Sequence, residues 1–203
     1  MMWEMLNPEY RFSSLEKITP DWMDRHNYRV LLLDIDNTLL PRNSSVVPDM
    51  HLHWLQELQE QGIVILLASN NGGKRVTAIE QQLREKGLRI PLLTWAGKPF
   101  PRAYADAIRL LKKFFPEVAV AVNQKPEHIP GVEMAKRSGR ILAAGDQLFT
   151  DVFGAHWSNM PAALLRPLSQ NDFIGTKVLR ILEIWVMQYL AKRNRLTEED
   201  REL

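Results

Sequence analysis

The chain has no cysteine among its 203 residues, which removes disulfides, thiolate nucleophiles and cysteine-based zinc sites together. Any metal would have to be held by oxygen, and the lack of thiols agrees with a reducing compartment. No apolar run reaches the roughly 18 residues needed to span a bilayer. Met1-Met2-Trp3-Glu4 also lacks the basic start and apolar middle of a signal peptide. The expectation is a cytoplasmic protein. Charge of one sign is missing too: 26 basic and 24 acidic residues leave a net charge of +2, without the clustered excess of a phosphate-tracking groove. No nucleic-acid partner is expected. What remains, 203 residues that are 45% hydrophobic, suits one globular domain with terminal elements.

The most informative stretch is Leu31-Leu32-Leu33-Asp34-Ile35-Asp36-Asn37-Thr38. An apolar run of this kind reads as a parallel strand buried on both faces, and it ends in two carboxylates spaced two apart, which a strand points the same way. Residues 1–29 before it mix aromatics with Pro8 and Pro20 and predict an irregular leader with one short helix near Pro20 to Arg25. After it, alternation sets in. Pro48 opens a helix to about Gln61, Ile63 to Ala68 reads as a strand, and Lys74 to Lys86 as a helix closed by Gly87. A short strand at Leu92 to Trp95 and a helix from Pro101 to about Phe115 follow. Val118 to Val122 fits a strand or a buried turn of helix equally, since periodicity cannot arbitrate so short a run. Ile141 to Gly145 and Ala162 to Leu165 read as the last strands, and Phe173 to Lys192 as a long helix. Strands and helices alternating at these lengths predict an α/β fold, a mainly parallel sheet with helices on both faces. The core domain is expected over residues 30–168, with an amphipathic helix and tail over 169–203.

In a parallel sheet the strand ends open on one edge, so residues far apart in sequence converge. Here those residues are Asp34 with Asp36, Ser69 with Asn70 and Asn71, Lys98, and Asp146 with Asp151. Singly, each has a structural reading: an Asp after a strand caps a helix, Lys98 sits at the surface, and Asn70-Asn71-Gly72-Gly73 is a turn. Together they supply carboxylates for a hard cation such as Mg²⁺, an ammonium, a hydroxyl and a carboxylate nucleophile, the equipment for phosphoryl transfer. Other sites fail on spacing. Gly73-Lys74 is not a phosphate-binding loop, because Ala68 stands where a glycine is required and Arg75 where Ser or Thr is. His51 and His53 cannot share a helix face, and Ser69 has no evident His partner.

Asp34-Ile35-Asp36-Asn37-Thr38, Ala68-Ser69-Asn70-Asn71, Lys98-Pro99 and Gly145-Asp146-Gln147-Leu148-Phe149-Thr150-Asp151 resemble motifs one to four of the haloacid dehalogenase superfamily of phosphatases. Within it they most resemble the phosphatidylglycerophosphate phosphatases of subfamily IIIA, over about Leu6 to Leu168. The interval from Lys98 to Asp146 is longer than that subfamily's pattern by roughly two elements. The resemblance implies a Rossmann-like fold, with Asp34 attacking phosphorus and Asp36 acting first as acid and then as base. It implies Mg²⁺ held by Asp34, the Asp36 carbonyl, Asp146 and Asp151. Ser69 and Lys98 would hold phosphoryl oxygens, with Asn70 beside them, while Asn37 and Thr38 would fix the loop at the substrate.

The gaps between motifs carry a separate message. One loop, one helix and one strand fill Thr38 to Ser69, and one helix and one strand fill Asn71 to Lys98, so no cap domain fits. An uncapped site suits a phosphate presented on something large, such as a lipid headgroup at a membrane surface. In the C-terminal helix, Ile174, Val178, Ile181, Leu182, Trp185 and Tyr189 recur at helical spacing, with Lys177, Arg180, Lys192, Arg193 and Arg195 beside them. Such a helix either lies peripherally on the inner face of the membrane or packs on the sheet or dimerises. The expected function is dephosphorylation of phosphatidylglycerophosphate; its rivals are a phosphatase for soluble or protein-bound esters and a phospho-accepting receiver module. A receiver would carry its accepting Asp near Leu92 to Trp95, which has none.

Overall fold

The computed structural model describes residues 4–123 and 140–169. Six strands form one sheet: β1 (Tyr10–Phe12), β2 (Tyr28–Asp34), β3 (Val64–Ala68), β4 (Leu92–Leu93), β5 (Arg140–Gly145) and β6 (Ala162–Leu165). Their order is β1-β6-β5-β2-β3-β4, and every pairing is parallel. Among the described residues six α-helices accompany them: α1 (Pro20–Arg25), α2 (Asp49–Glu60), α3 (Lys74–Glu85), α4 (Pro101–Phe114), α5 (Pro116–Asn123) and α6 (Phe153–Trp157). The result is a Rossmann-like α/β fold in which the described residues contain no cap domain.

Alternation along the strands explains the layering. Side chains of a strand leave alternately to its two faces, so Leu31 and Leu33 of β2 point one way while Val30 and Leu32 point the other. The first pair joins Ile65 and Leu67 of β3 under α2 and α3, through Leu52, Leu55, Leu58, Ile79 and Leu83. The second joins Val64 and Leu66 under α4 through Ala103, Tyr104, Ala107 and Leu111. Each fully buried Leu or Ile contributes about 1.5–3 kcal/mol, so two dry faces clamp β2 and fix where its tip lies.

The leader holds more than its expected short helix: it also supplies β1, the edge strand beside β6. Trp22 of α1 stacks on Tyr28 with ring centroids 5.8 Å apart, and Tyr10 meets Trp22 edge-on at 4.8 Å. The strand expected over Leu92 to Trp95 is two residues long, because the chain turns away and Trp95 takes φ of 51°. Val118 to Val122 falls in helix α5. The expected helix at Phe173 to Lys192 lies outside the described residues. Among the described residues, no helix is long and apolar enough to cross a membrane.

One polar link ties the leader to the sheet. Glu9 Oε2 accepts from the Ala162 amide at 2.7 Å and lies 2.9 Å from His156 Nε2, while His156 Nδ1 lies 2.8 Å from the Met5 carbonyl oxygen. Two acceptors facing one imidazole are satisfied only by the protonated ring. Burial opposes that charge, but the Glu9 carboxylate and the Met5 carbonyl outweigh it and raise the pKa of His156. Burial would raise Glu9, yet His156 and the Ala162 amide outweigh it and hold Glu9 low. The stabilisation from His156 is thus complete below its ordinary 6.5 and fades as pH rises through its raised folded value. That from Glu9 is complete above its ordinary 4.5 and fades as pH falls through its lowered folded value. Glu9 is partly exposed, so the pair contributes at most about 1 kcal/mol. The gap in thermal midpoint between the wild type and Glu9→Gln is expected to be widest between pH 4.5 and 6.5 and to narrow above that range. A gap that does not vary with pH would refute the pairing.

Candidate active site

Strand β2 ends at Asp34, and the chain then folds tightly: the Leu39 amide donates to the Ile35 carbonyl at 3.0 Å and the Asn37 amide to the Leu40 carbonyl at 2.9 Å. Asn37 takes φ of 62°, a left-handed conformation that Asn tolerates better than most residues. Its Oδ1 accepts from the Arg42 amide at 3.2 Å and from Ser169 Oγ at 2.6 Å, which ties the loop to its own continuation and to the segment after β6. Thr38 is buried in this loop, and its Oγ1 has no hydrogen-bond partner among the described residues.

At the tip of β2 the Lys98 ammonium donates to Asp34 Oδ1 at 2.5 Å and to Asp151 Oδ1 at 2.6 Å. All three residues are buried. Lys98 is held there through its backbone, since Asn70 Oδ1 accepts from the Lys98 amide at 2.7 Å and Asn70 Nδ2 donates to the Lys98 carbonyl at 2.8 Å. Asp151 arrives by another route. A π-helical turn, Leu148–Val152, follows β5 and folds Asp151 back beneath the strand end, where the Gln147 amide donates to Asp151 Oδ2 at 3.1 Å. Tyr104 of α4 donates to the Thr150 and Asp151 carbonyls at 3.0 and 3.1 Å, fixing that turn against the far face.

Asp34, Asp146 and Asp151 bring one oxygen each within 4.8 Å of one another. Burial raises the pKa of Asp34 to about 8, Asp151 and Asp146 push the same way, and Lys98 opposes them. Burial would lower Lys98, but Asp151 and Asp34 outweigh it and keep the amine protonated. One ammonium among three buried carboxylates leaves an excess of negative charge, and the donors are hard oxygens. That set fits a divalent cation such as Mg²⁺, which binds carboxylate oxygen and neutralises the excess.

The second acid of the pair points elsewhere. Asp36 Oδ2 accepts from Ser69 Oγ at 3.0 Å and Asn71 Nδ2 at 2.9 Å, and Asp36 Oδ1 accepts from Arg75 Nη1 at 2.7 Å. The Asp36 carboxylate therefore stands outside the three-carboxylate cluster. Ser69 and Asn70, expected at the phosphoryl oxygens, also hold their neighbours: the buried Ser69 hydroxyl donates to Asp36 and accepts from the Asn71 amide, and the Asn70 side-chain amide brackets the Lys98 backbone. Asn70 also lines the opening. That opening is a cavity of about 200 Å³, lined by Asp34, Asp36, Lys98, Arg42, Asn71 and Gln147 among others.

Sequence reading missed Arg75, Arg42 and Tyr104. Arg75 left a trace, because Lys74 and Arg75 open α3 with no acid in the first turn. Cations at a helix N-terminus oppose the macrodipole, so such a start asks for an anionic partner.

Residues 31–108 match the family of haloacid dehalogenase-like hydrolases, which takes in Asp34, Asp36, Ser69 and Lys98 but not Asp146 or Asp151. The chain is similar to "Probable phosphatase YqeG" of Bacillus subtilis (strain 168), 24% identical over 200 residues that cover 98% of this chain and 100% of that one. A haloacid dehalogenase-like hydrolase from Brucella suis 1330 aligns at TM-score 0.43 and 14% identity, covering 76% of this chain and 97% of that one. The cobalt-bound deoxy-D-mannose-octulosonate 8-phosphate phosphatase of Haemophilus influenzae aligns at 0.41 and 11%, covering 80% and 88%.

Gly145 offers a test of the packing. A Cβ there would lie 2.3 Å from Asp151 Cγ and 2.7 Å from its Cβ. Asp151 is held by Lys98 and the Gln147 amide and has no easy retreat, so Gly145→Ala should cost about 1–3 kcal/mol in urea unfolding. An unchanged midpoint would contradict this packing. The matched residues and the parallel sheet agree on the fold of a haloacid dehalogenase-like hydrolase.

Proposed function

We propose that this protein is a Mg²⁺-dependent phosphatase that removes the terminal phosphate of phosphatidylglycerophosphate, leaving phosphatidylglycerol. The observation that carries the reaction class is the juxtaposition of Asp34, Lys98 and the Asp146–Asp151 pair at one strand edge. Asp34 attacks phosphorus; the new bond from its carboxylate oxygen forms as the bond to the leaving oxygen breaks. Asp36 gives a proton to the departing alkoxide. It then takes one from water, whose oxygen attacks phosphorus, releases inorganic phosphate and restores the Asp34 carboxylate. Lys98 balances the charge that Asp34 and the phosphoryl group bring together. The carboxylates of Asp34, Asp146 and Asp151, with the Asp36 carbonyl, would hold Mg²⁺, which supplies charge to the phosphoryl oxygens. A phospho-accepting receiver would carry its accepting Asp near Leu92 to Trp95, where there is none, and has no use for a second acid two residues past the accepting one.

The lipid substrate is supported by the uncapped edge among the described residues and by the motif resemblance. An open cavity of about 200 Å³ admits a headgroup without enclosing the rest of the molecule. On this reading the protein works at the inner face of the membrane, as a peripheral protein. Asp34→Asn is expected to abolish turnover in a folded protein, and chelation to do the same reversibly; near-wild-type activity in Asp34→Asn would remove the nucleophile assignment. Turnover of phosphatidylglycerophosphate in vesicles is expected to exceed that of glycerol phosphate. Equal or better turnover of the soluble ester would sink the lipid assignment and leave a phosphatase of soluble or protein-bound esters.

A further inference from the structure

We infer that Arg75 is a positioning residue for the acid that expels the leaving group, which rests on the phosphatase reading above. Its guanidinium joins two elements: Nη1 donates to Asp36 Oδ1 at 2.7 Å and Nε to the Ser44 carbonyl at 2.7 Å. The local sequence explains its placement. Gly73, at φ of 78°, caps the start of α3 two residues after Asn71, and Val76 is buried beside Arg75, which fixes the first turn of the helix against the core. Trp95 packs over Gly72, where any Cβ would lie 2.3 Å from the indole nitrogen. The turn is therefore tight, and it delivers Arg75 and Asn71 to the same carboxylate.

Three donors converge on Asp36: Ser69 and Asn71 on one oxygen and Arg75 on the other. Asp36 gains negative charge as its proton passes to the leaving oxygen, and donors already aimed at that charge stabilise the step without reorganising. Of the three only Arg75 carries a full charge, and only it reaches Oδ1. Its second bond ties down the loop after Pro41, including Arg42 at the cavity. A lysine has one nitrogen and cannot span both acceptors, so it would keep the charge at Asp36 and lose the tie between the two elements.

The benefit exists only where a proton must be given. An alkoxide leaves poorly unless protonated, whereas nitrophenolate leaves without help, and general acid catalysis is worth about 10² to 10⁴-fold where it operates. Comparing kcat/KM for glycerol phosphate and p-nitrophenyl phosphate, with Mg²⁺ and the full chain, separates positioning of the acid from a structural role. In Arg75→Ala the alkyl-to-aryl ratio is expected to fall about tenfold or more, in the same direction as in Asp36→Asn. Arg75→Lys should recover part of that fall, and provides a folded variant if Arg75→Ala unfolds. Equal losses on both esters, or a ratio that rises, would overturn the inference while leaving the phosphatase reading intact. If the wild type turns over neither these esters nor phosphatidylglycerophosphate in vesicles, the phosphatase reading fails and the inference with it.

Discussion

The Lys98 ammonium, set between Asp34 and Asp151, is the constraint on which the rest of the site depends. Taking charges out of water costs several kcal/mol per ion after relaxation, and one cation among three carboxylates does not offset that cost. The cluster is therefore held in place by the fold and is no source of its stability. Two apolar faces secure β2, the Asn70 amide fastens the Lys98 backbone, and the turn Leu148–Val152 drives Asp151 under the strand. Each of these supports is built from ordinary packing or ordinary hydrogen bonds. Their sum keeps charges close that would otherwise separate into solvent.

The two acids of the opening motif divide because their surroundings differ. Asp34 lies among like charges and one ammonium, buried, and is pushed up to about 8. Asp36, two residues on, meets only donors: a hydroxyl, an amide and a guanidinium. The first environment is crowded with carboxylates that a cation would join. The second holds one carboxylate in a fixed orientation at the opening. A two-residue spacing placed both at one strand tip, and the partners contributed by β3, α3 and the segment after β5 gave them different work.

Much of this was legible in the chain itself, for physical reasons. The long apolar runs of β2, β3 and β5 read as strands because each is buried on both faces, and parallel pairing brings their ends together. What stayed hidden depends on contacts between distant residues or on very short elements. Strand β1 has three residues and lies among aromatics that could belong to any irregular segment. Val118 to Val122 is too short for its period to separate helix from strand, and it is helix. The partner of Ser69 is Asp36, 33 residues away, so a hydroxyl that reads as facing a ligand proves to face a neighbouring acid. In the chain Arg75 reads only as the residue standing where a phosphate-binding loop needs Ser or Thr. Its placement against the helix dipole was the signal.

The central claim is that Asp34 carries the phosphoryl group during the reaction. It is tested most directly by acid-quenching the full chain during turnover of p-nitrophenyl phosphate with Mg²⁺, then mapping phosphorylated peptides by mass spectrometry. The same quench in Asp36→Asn should raise the trapped fraction, because the water that clears the intermediate loses its base. The expected outcome is a phosphoryl group on Asp34 and on no other residue. Turnover with the phosphoryl group on a different side chain, or with none trapped in either protein, would contradict it.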